Sequence, residues 1–287
     1  MRRIFSVFFL ALVPVMAAAE EPPQKLTLEA LFVDKALEIE RFANLEWLPN
    51  GEQVIYFTSH GKEKTLWRQR VTTGEREELA DWSAVLEDLA EQRPNFSKPK
   101  MGDVNSSASH RLTPVLSPDG TALVGGHAGD LFLFELATGK ARFLTEDPVQ
   151  EIFPAFSPDG SKVGFVRGGD LYWLDLATVA THRVTDRGDN HFLLNGIADW
   201  VYEEELDAER SYWWSPDSTH LAFLQFDERP VGIVPITGDS VPYPELEEQR
   251  YPKAGTANPR VLLGVIGLSG GEPKWVETGE GDDYLVR

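Results

Sequence analysis

The chain has 287 residues, 42% of them hydrophobic, with 27 Lys+Arg against 46 Asp+Glu for a formal charge of −19. That is the composition of a globular chain long enough to bury a substantial core. The absence of cysteine removes disulfide scaffolds, Cys-ligated zinc, iron–sulfur clusters and thiol catalysis. The acidic balance, with no compact basic patch, argues against a nucleic-acid partner, whose affinity rests on Lys and Arg neutralising phosphates.

At the N-terminus, Arg2 and Arg3 precede the mostly apolar run Ile4 to Val15, which ends in Met16, Ala17, Ala18 and Ala19 before Glu20. A basic start, a short apolar middle and a small-residue exit predict a cleavable signal peptide over residues 1–19 and export to the periplasm or the extracellular space. The run falls short of the roughly 20 apolar residues of a membrane span. Its removal takes away two arginines and no acid, so the exported chain is more acidic still. Residues 20–40 then form a lead-in segment, and a single repeat-based domain is predicted over 41–287.

One turn motif recurs through that domain: Leu48-Pro49-Asn50-Gly51, Ser117-Pro118-Asp119-Gly120, Ser157-Pro158-Asp159-Gly160 and Ser215-Pro216-Asp217-Ser218. Proline presets φ at the second position, Asp or Asn suits the third, and Gly takes a conformation that a Cβ opposes. Each turn leads into a short apolar run that reads as a strand: Val54 to Phe57, Leu123-Val124, Val163 to Val166 and Leu221 to Leu224. A second turn follows at Val71 to Glu75, Leu136 to Lys140, Leu176 to Thr178 and Leu268 to Glu272, each after a further strand such as Leu131 to Leu136 or Leu171 to Leu176. The unit is strand, loop, strand, hairpin, strand, which is one blade of a β-propeller. Ser117 and Ser157 stand 40 residues apart, matching an uninterrupted four-stranded blade of about 40 residues. The two wider intervals carry insertions. One lies around Ala80 to Gly102, where Trp82, Val85, Leu86 and Leu89 have helical spacing; the other contains Asp199-Trp200-Val201-Tyr202-Glu203-Glu204-Glu205. Insertions in repeat folds map to loops on one face, often the functional one.

Taken alone, the acidic run reads as the solvated first turn of a short helix with Asp199 as N-cap. Neighbouring glutamates stand roughly 100° apart around such a helix, so two of them can diverge around one cation such as a primary ammonium.

The stretch Asn195-Gly196-Ile197-Ala198 leading into DWVYEEE, then Tyr212-Trp213-Trp214-Ser215-Pro216, Ala222 to Asp227, and Tyr251-Pro252-Lys253-Ala254-Gly255 through Asn258-Pro259 closely resemble the N-terminal region of the dipeptidyl peptidase IV family of prolyl oligopeptidase-type serine peptidases. The signatures occur in the same order, and the resemblance runs from about Leu26 to the last residue. It implies an all-β fold: a partial, open propeller of about four blades, taken from a family propeller of eight, with short helical insertions. It implies an α/β-hydrolase domain in the full-length protein and removal of dipeptides, often X-Pro, from peptides with a free N-terminus. It assigns the hold on the substrate α-ammonium to Glu204 and Glu205, with Glu203 structural and Trp200 and Tyr202 as packing anchors. The resemblance also leaves room for a homodimer of the full-length protein. The family's backbone-binding propeller arginine has no counterpart, because Gly125-Gly126-His127-Ala128-Gly129-Asp130 is short and lacks arginine.

A serine hydrolase of this type needs a nucleophile elbow followed by Asp and then His. Gly267-Leu268-Ser269-Gly270-Gly271 fits G-x-S-x-G in letters, but Ser269 is in phase with the blade hairpins and the last histidine is His220. No catalytic residue is therefore assigned in this chain. The six histidines are scattered without an HExxH pair, so neither a metal site nor a cofactor is predicted. The chain is expected to be an N-terminal portion truncated before the catalytic domain and inactive alone. The alternative from another class is a noncatalytic exported propeller that binds peptides or proteins.

Overall fold

The recurring turns fold alike and set the strands. In Ser117 to Thr121 the Gly120 amide donates to the Ser117 carbonyl at 2.9 Å, the Ser117 hydroxyl donates to Asp119 at 2.6 Å, and the Thr121 amide donates to the same carboxylate at 3.0 Å. The turn at Ser157 repeats this pattern, and the one at Ser215 differs in putting Ser218 rather than Gly in the left-handed region at φ 59°. The serine hydroxyls hold Asp159 and Asp217 well below the usual carboxylate range, so these aspartates stay ionised turn locks.

The computed structural model describes residues 40–61, 63–93, 113–188, 190–237 and 246–279. The stretch expected to be a signal peptide, the expected lead-in up to residue 39 and the closing stretch 280–287 lie outside the described residues. Among the described residues, four antiparallel sheets follow one another in chain order. The first is β1 (Arg41–Trp47), β2 (Gln53–His60), β3 (Glu63–Arg70) and β4 (Arg76–Asp81). Helix α1 (Trp82–Glu91) follows, with Asp81 as N-cap accepting from the Ser83 and Ala84 amides, and its Trp82, Val85 and Leu89 are buried, as their spacing predicts. The second sheet is β5 (Val115–Leu116), β6 (Ala122–His127), β7 (Asp130–Glu135) and β8 (Lys140–Phe143), and the third is β9 (Glu151–Phe156), β10 (Lys162–Arg167), β11 (Asp170–Asp175) and β12 (Thr181–Arg183). The fourth contains β13 (Leu193–Asn195) and β14 (Tyr212–Trp214), both paired with β15 (His220–Asp227), then β18 (Arg260–Gly267) and β19 (Lys274–Trp275). A hairpin of β16 (Ile233–Thr237) and β17 (Leu246–Arg250) interrupts it after β15. These are propeller blades in an open array, not a closed ring.

Each pair of successive blades encloses its own core. Ile55, Phe57 and Leu66 of the first meet Leu123, Phe132 and Phe134 of the second, with Trp82 between them. Ala122, Val124, Leu131 and Leu133 meet Val163, Phe165 and Leu174. Ile152, Val166 and Leu171 meet Leu194, Tyr212, Phe223 and Phe226.

The first strands of the first and third blades carry an irregularity at the same place. In the first blade the register shifts between Ala43 and Glu46, with Asn44 at φ 53°; in the third it shifts opposite Gly164 and Val166, with Phe153 at φ 56°. These are β-bulges, in which the strand gains residues without losing its partner. In the fourth blade residues 196–211 interrupt the first strand one position further along its partner. Asn195 pairs with Gln225 and Tyr212 with Phe223, so the insertion leaves and returns across the single residue Leu224.

Trp82 is 2% exposed and meets Phe57 at 4.9 Å and Phe134 at 5.1 Å between ring centroids. Trp82→Ala should therefore destabilise the chain by about 3–5 kcal/mol, read as a lowered urea midpoint with the m-value unchanged.

Candidate functional site

The acidic run is helix α2 (Trp200–Leu206), the outermost part of that insertion. Asp199 is its N-cap, with its carboxylate accepting from the Tyr202 amide at 3.2 Å and the Val201 amide at 3.3 Å. Its end is set by Asp207 at φ 51°, after which the Ala208 amide donates to the Tyr202 carbonyl at 2.9 Å. The two legs beneath it are zipped together: the Ala198 amide donates to the Glu209 carbonyl, Ile197 bridges Arg210, and the Ser211 amide donates to the Gly196 carbonyl. The insertion is thus a ribbon with a helix at its tip.

Within the helix, Val201 and Tyr202 are buried, Trp200 and Glu203 are half-buried, and Glu204 and Glu205 are exposed. Tyr202 packs edge-on against Phe226 at 4.8 Å, and Trp200 lies against Tyr251 at 4.4 Å. The two aromatic residues anchor the helix, and the two carboxylates expected to meet a substrate face solvent.

The base of the ribbon is tied to the preceding blade through Asp170, whose relative exposure is 2%. Its carboxylate accepts from Asn195 Nδ2 at 2.9 Å, Thr185 Oγ1 at 2.8 Å, the Arg187 amide at 3.1 Å and Arg183 Nη2 at 2.6 Å. Asn195 in turn accepts from Gln225 Nε2 at 2.8 Å, and its amide donates to the Gly169 carbonyl at 2.9 Å. Gly196, at φ 76°, starts the outgoing leg where an added Cβ would meet Leu171 Cδ2 at 2.4 Å, so only glycine fits there.

Burial shifts two carboxyls beside the helix: Asp199, the N-cap read from the sequence, and Glu228, which the sequence does not single out. Burial raises Asp199 above its ordinary value despite the backbone amides that cap onto it. Burial, reinforced by the charge of Asp199, pushes Glu228 up to about 7 against the opposing pull of Arg250 and Arg187. No sequence pattern marks Glu228, because its environment comes from four separate segments.

Ser269 lies exposed in the turn between β18 and β19, the blade-hairpin position its phase predicts. Ala128 and Gly129 make a tight turn between β6 and β7, closed by His127 and Asp130, and it carries no arginine. Among the described residues no group of three His, Asp or Glu is placed to hold a metal ion. A cleft of about 490 Å³ between the first two blades is lined by Arg68, Glu77, Thr121, Leu136 and Thr138. None of these belongs to the acidic helix.

Residues 148–287 match the family model of the dipeptidyl peptidase IV N-terminal region. That segment is similar to the N-terminal region of the dipeptidyl peptidase IV family. The chain is 45% identical over 91 residues to dipeptidyl peptidase 4 of Felis catus, a match covering 30% of this chain and 12% of that protein. It is also 45% identical over 91 residues to inactive dipeptidyl peptidase 10 of Mus musculus, covering 31% and 11%. The crystal structure of Porphyromonas gingivalis dipeptidyl peptidase 4 shares the fold with a TM-score of 0.66 at 22% identity, over 91% of this chain and 36% of that one. The chain therefore corresponds to a minor part of the length of each of these relatives. Within this dipeptidyl peptidase IV-type N-terminal region, the family match takes in the whole fourth blade, including the acidic helix.

The raised Glu228 value has a definite sign in stability. The folded chain holds this proton more tightly than the unfolded chain, so the stability it contributes is full below about pH 4.5 and is lost as pH rises through about 7. Thermal unfolding of the wild type should lose ground to Glu228→Gln between pH 5 and pH 8; parallel melting curves across that range would contradict the assignment.

Proposed function

We propose that this chain is the substrate-selecting N-terminal propeller portion of an exported serine dipeptidyl peptidase, in which Glu204 and Glu205 hold the α-ammonium of a peptide's free N-terminus. The reading is carried by one observation: two adjacent carboxylates stay exposed on a short helix whose aromatic residues anchor it against Tyr251 and Phe226. Carboxylates give an ammonium charge-assisted hydrogen bonds that an acylated or internal chain position does not receive. Specificity is then measured from the terminus, and chemistry falls to an α/β-hydrolase domain that follows in the full-length protein. Export through the signal peptide of residues 1–19 accords with the acidic, cysteine-free composition.

A second reading, a propeller that binds peptides or proteins without cleaving them, is favoured by one relative whose name describes it as inactive. The coding DNA beyond Arg287 separates the two. An open frame carrying a G-x-S-x-G elbow followed by Asp and His supports the peptidase, and its absence supports the binder.

For the clamp, calorimetric titration of the chain with a hexapeptide beginning Gly-Pro should give a dissociation constant that rises about tenfold on Glu204→Gln or Glu205→Gln. N-acetylation of the peptide should abolish binding, and raising pH through the terminal ammonium's value of roughly 8 should weaken it. Equal affinity for the free and acetylated peptides would remove the clamp.

A further inference from the structure

A helix of seven residues does not hold itself together in water, so α2 depends on tertiary contacts for its orientation. The Asp199 cap sets its start locally, and Tyr202 packs on Phe226 of the fourth-blade sheet. A third contact comes from elsewhere in the sequence. Tyr251, the first residue after β17, sets its ring 4.4 Å from that of Trp200, the first residue of α2, at an interplanar angle of 54°.

Tyr251 is itself held firmly. Its amide donates to the Gly232 carbonyl at 2.9 Å, extending the β16–β17 ladder past the Ile233 and Arg250 pair. Next to it, Arg250 Nη1 donates to the carbonyls of Glu228 at 3.0 Å and Val231 at 2.6 Å, and its guanidinium covers the Phe192 ring at 4.1 Å. The Glu228 amide closes the set by donating to the Phe192 carbonyl at 2.8 Å. The hairpin root is therefore a rigid mount, and the ring it presents touches α2 only at Trp200 among the aromatic pairs described there.

Helical spacing decides what that contact controls. Residues three and four apart share a helix face, which puts Glu204 over Trp200 and Glu205 over Tyr202. On that spacing Glu204 shares a face with Trp200, which the hairpin root holds, and Glu205 with Tyr202, which the sheet holds.

We infer that Tyr251 is a positioning residue for Glu204, joining the root of the β16–β17 hairpin to one arm of the ammonium clamp. The inference rests on the reading of Glu204 and Glu205 as that clamp. It makes the two glutamates separable: a change at the hairpin root alters the hold of one and leaves the other in place.

The test uses the full chain with Tyr251→Leu, which keeps bulk and removes the ring, and Tyr251→Phe, which keeps the ring. Binding of the free-amine Gly-Pro hexapeptide should weaken about tenfold in Tyr251→Leu and recover in Tyr251→Phe. The loss should vanish when Tyr251→Leu is made in Glu204→Gln and persist when it is made in Glu205→Gln. A loss of equal size in both backgrounds would overturn the inference, because a merely structural role does not distinguish them. Amide hydrogen exchange over residues 200–206 gives a readout independent of the ligand: faster exchange in Tyr251→Leu supports the mount, and unchanged exchange overturns it. If the wild type binds free and acetylated peptides alike, the clamp falls while the exchange measurement still decides what Tyr251 does. Trp200→Leu removes the other ring of the pair and must give the same exchange result, which covers the case in which Tyr251→Leu does not fold.

Discussion

Everything at the candidate site follows from the need of β15 to keep a partner on both sides of the insertion. Asn195 pairs with Gln225 and Tyr212 with Phe223, so sixteen residues must leave and rejoin the sheet within the width of one residue, Leu224. Such a segment can only rise as a ribbon with its two legs zipped, as the Ala198 to Glu209 and Ser211 to Gly196 bonds show. The first and third blades interrupt their first strands one position earlier, with bulges at Asn44 and Phe153. The acidic helix is thus an enlarged bulge, and its position on the blade is set by strand pairing. A bulge re-aims the chain without terminating the ladder, which lets a blade carry a functional excursion and still pack on its neighbour.

Buried polar ties join the blades where cysteine is absent. Asp130 and Asp170 open the third strand of consecutive blades and play the same part. Each accepts an amide seventeen residues on, from Asp147 or Arg187, and each pairs with an arginine, Arg93 or Arg183. Thr145 and Thr185 receive the amides of Leu131 and Leu171 at 2.9 Å in the two blades. Glu151, fully buried, joins this set through Arg167 and Thr145, and burial raises its carboxyl despite the arginine. Buried charges are tolerated only when paired and hydrogen-bonded; Asp170 and Glu151 find their arginines within the third blade, and the bonds from the Leu131 amide to Glu151 and from Asn195 to Asp170 carry the ties across to the neighbouring blades. The Asp170 version extends one step further, through Asn195, to the base of the acidic helix.

The electrostatics around that helix favour a cation. Glu204 and Glu205 are exposed on the helix that Asp199 caps, and the charge of Asp199 raises Glu228. Arg187 and Arg250 lie at the foot of the group, and Arg250 is engaged with backbone carbonyls. A chain with a formal charge of −19 adds a background of the same sign, so an approaching ammonium meets an attractive field before it meets a contact.

The sequence by itself determined what depends on neighbours in the chain. Pro-Asp-Gly and Pro-Asn-Gly fixed the turns, the strands that follow them fixed the 40-residue blade, the spacing of Trp82, Val85 and Leu89 fixed α1, and Asp199 fixed the start of α2. The 40-residue interval also separates Asp130 from Asp170 and Thr145 from Thr185, so the buried ties were present in the repeat, although nothing in a lone Asp-Leu pair tells a buried anchor from a turn residue. Tertiary structure alone decided which acidic residues face solvent, why Gly196 cannot carry a side chain, and how Glu228 comes to hold a proton near neutrality. It also brought Tyr251 onto Trp200 across 51 residues of chain. Turn and capping chemistry acts over two to four residues and is written locally, whereas desolvation and ring contacts depend on segments that meet only when the sheet forms.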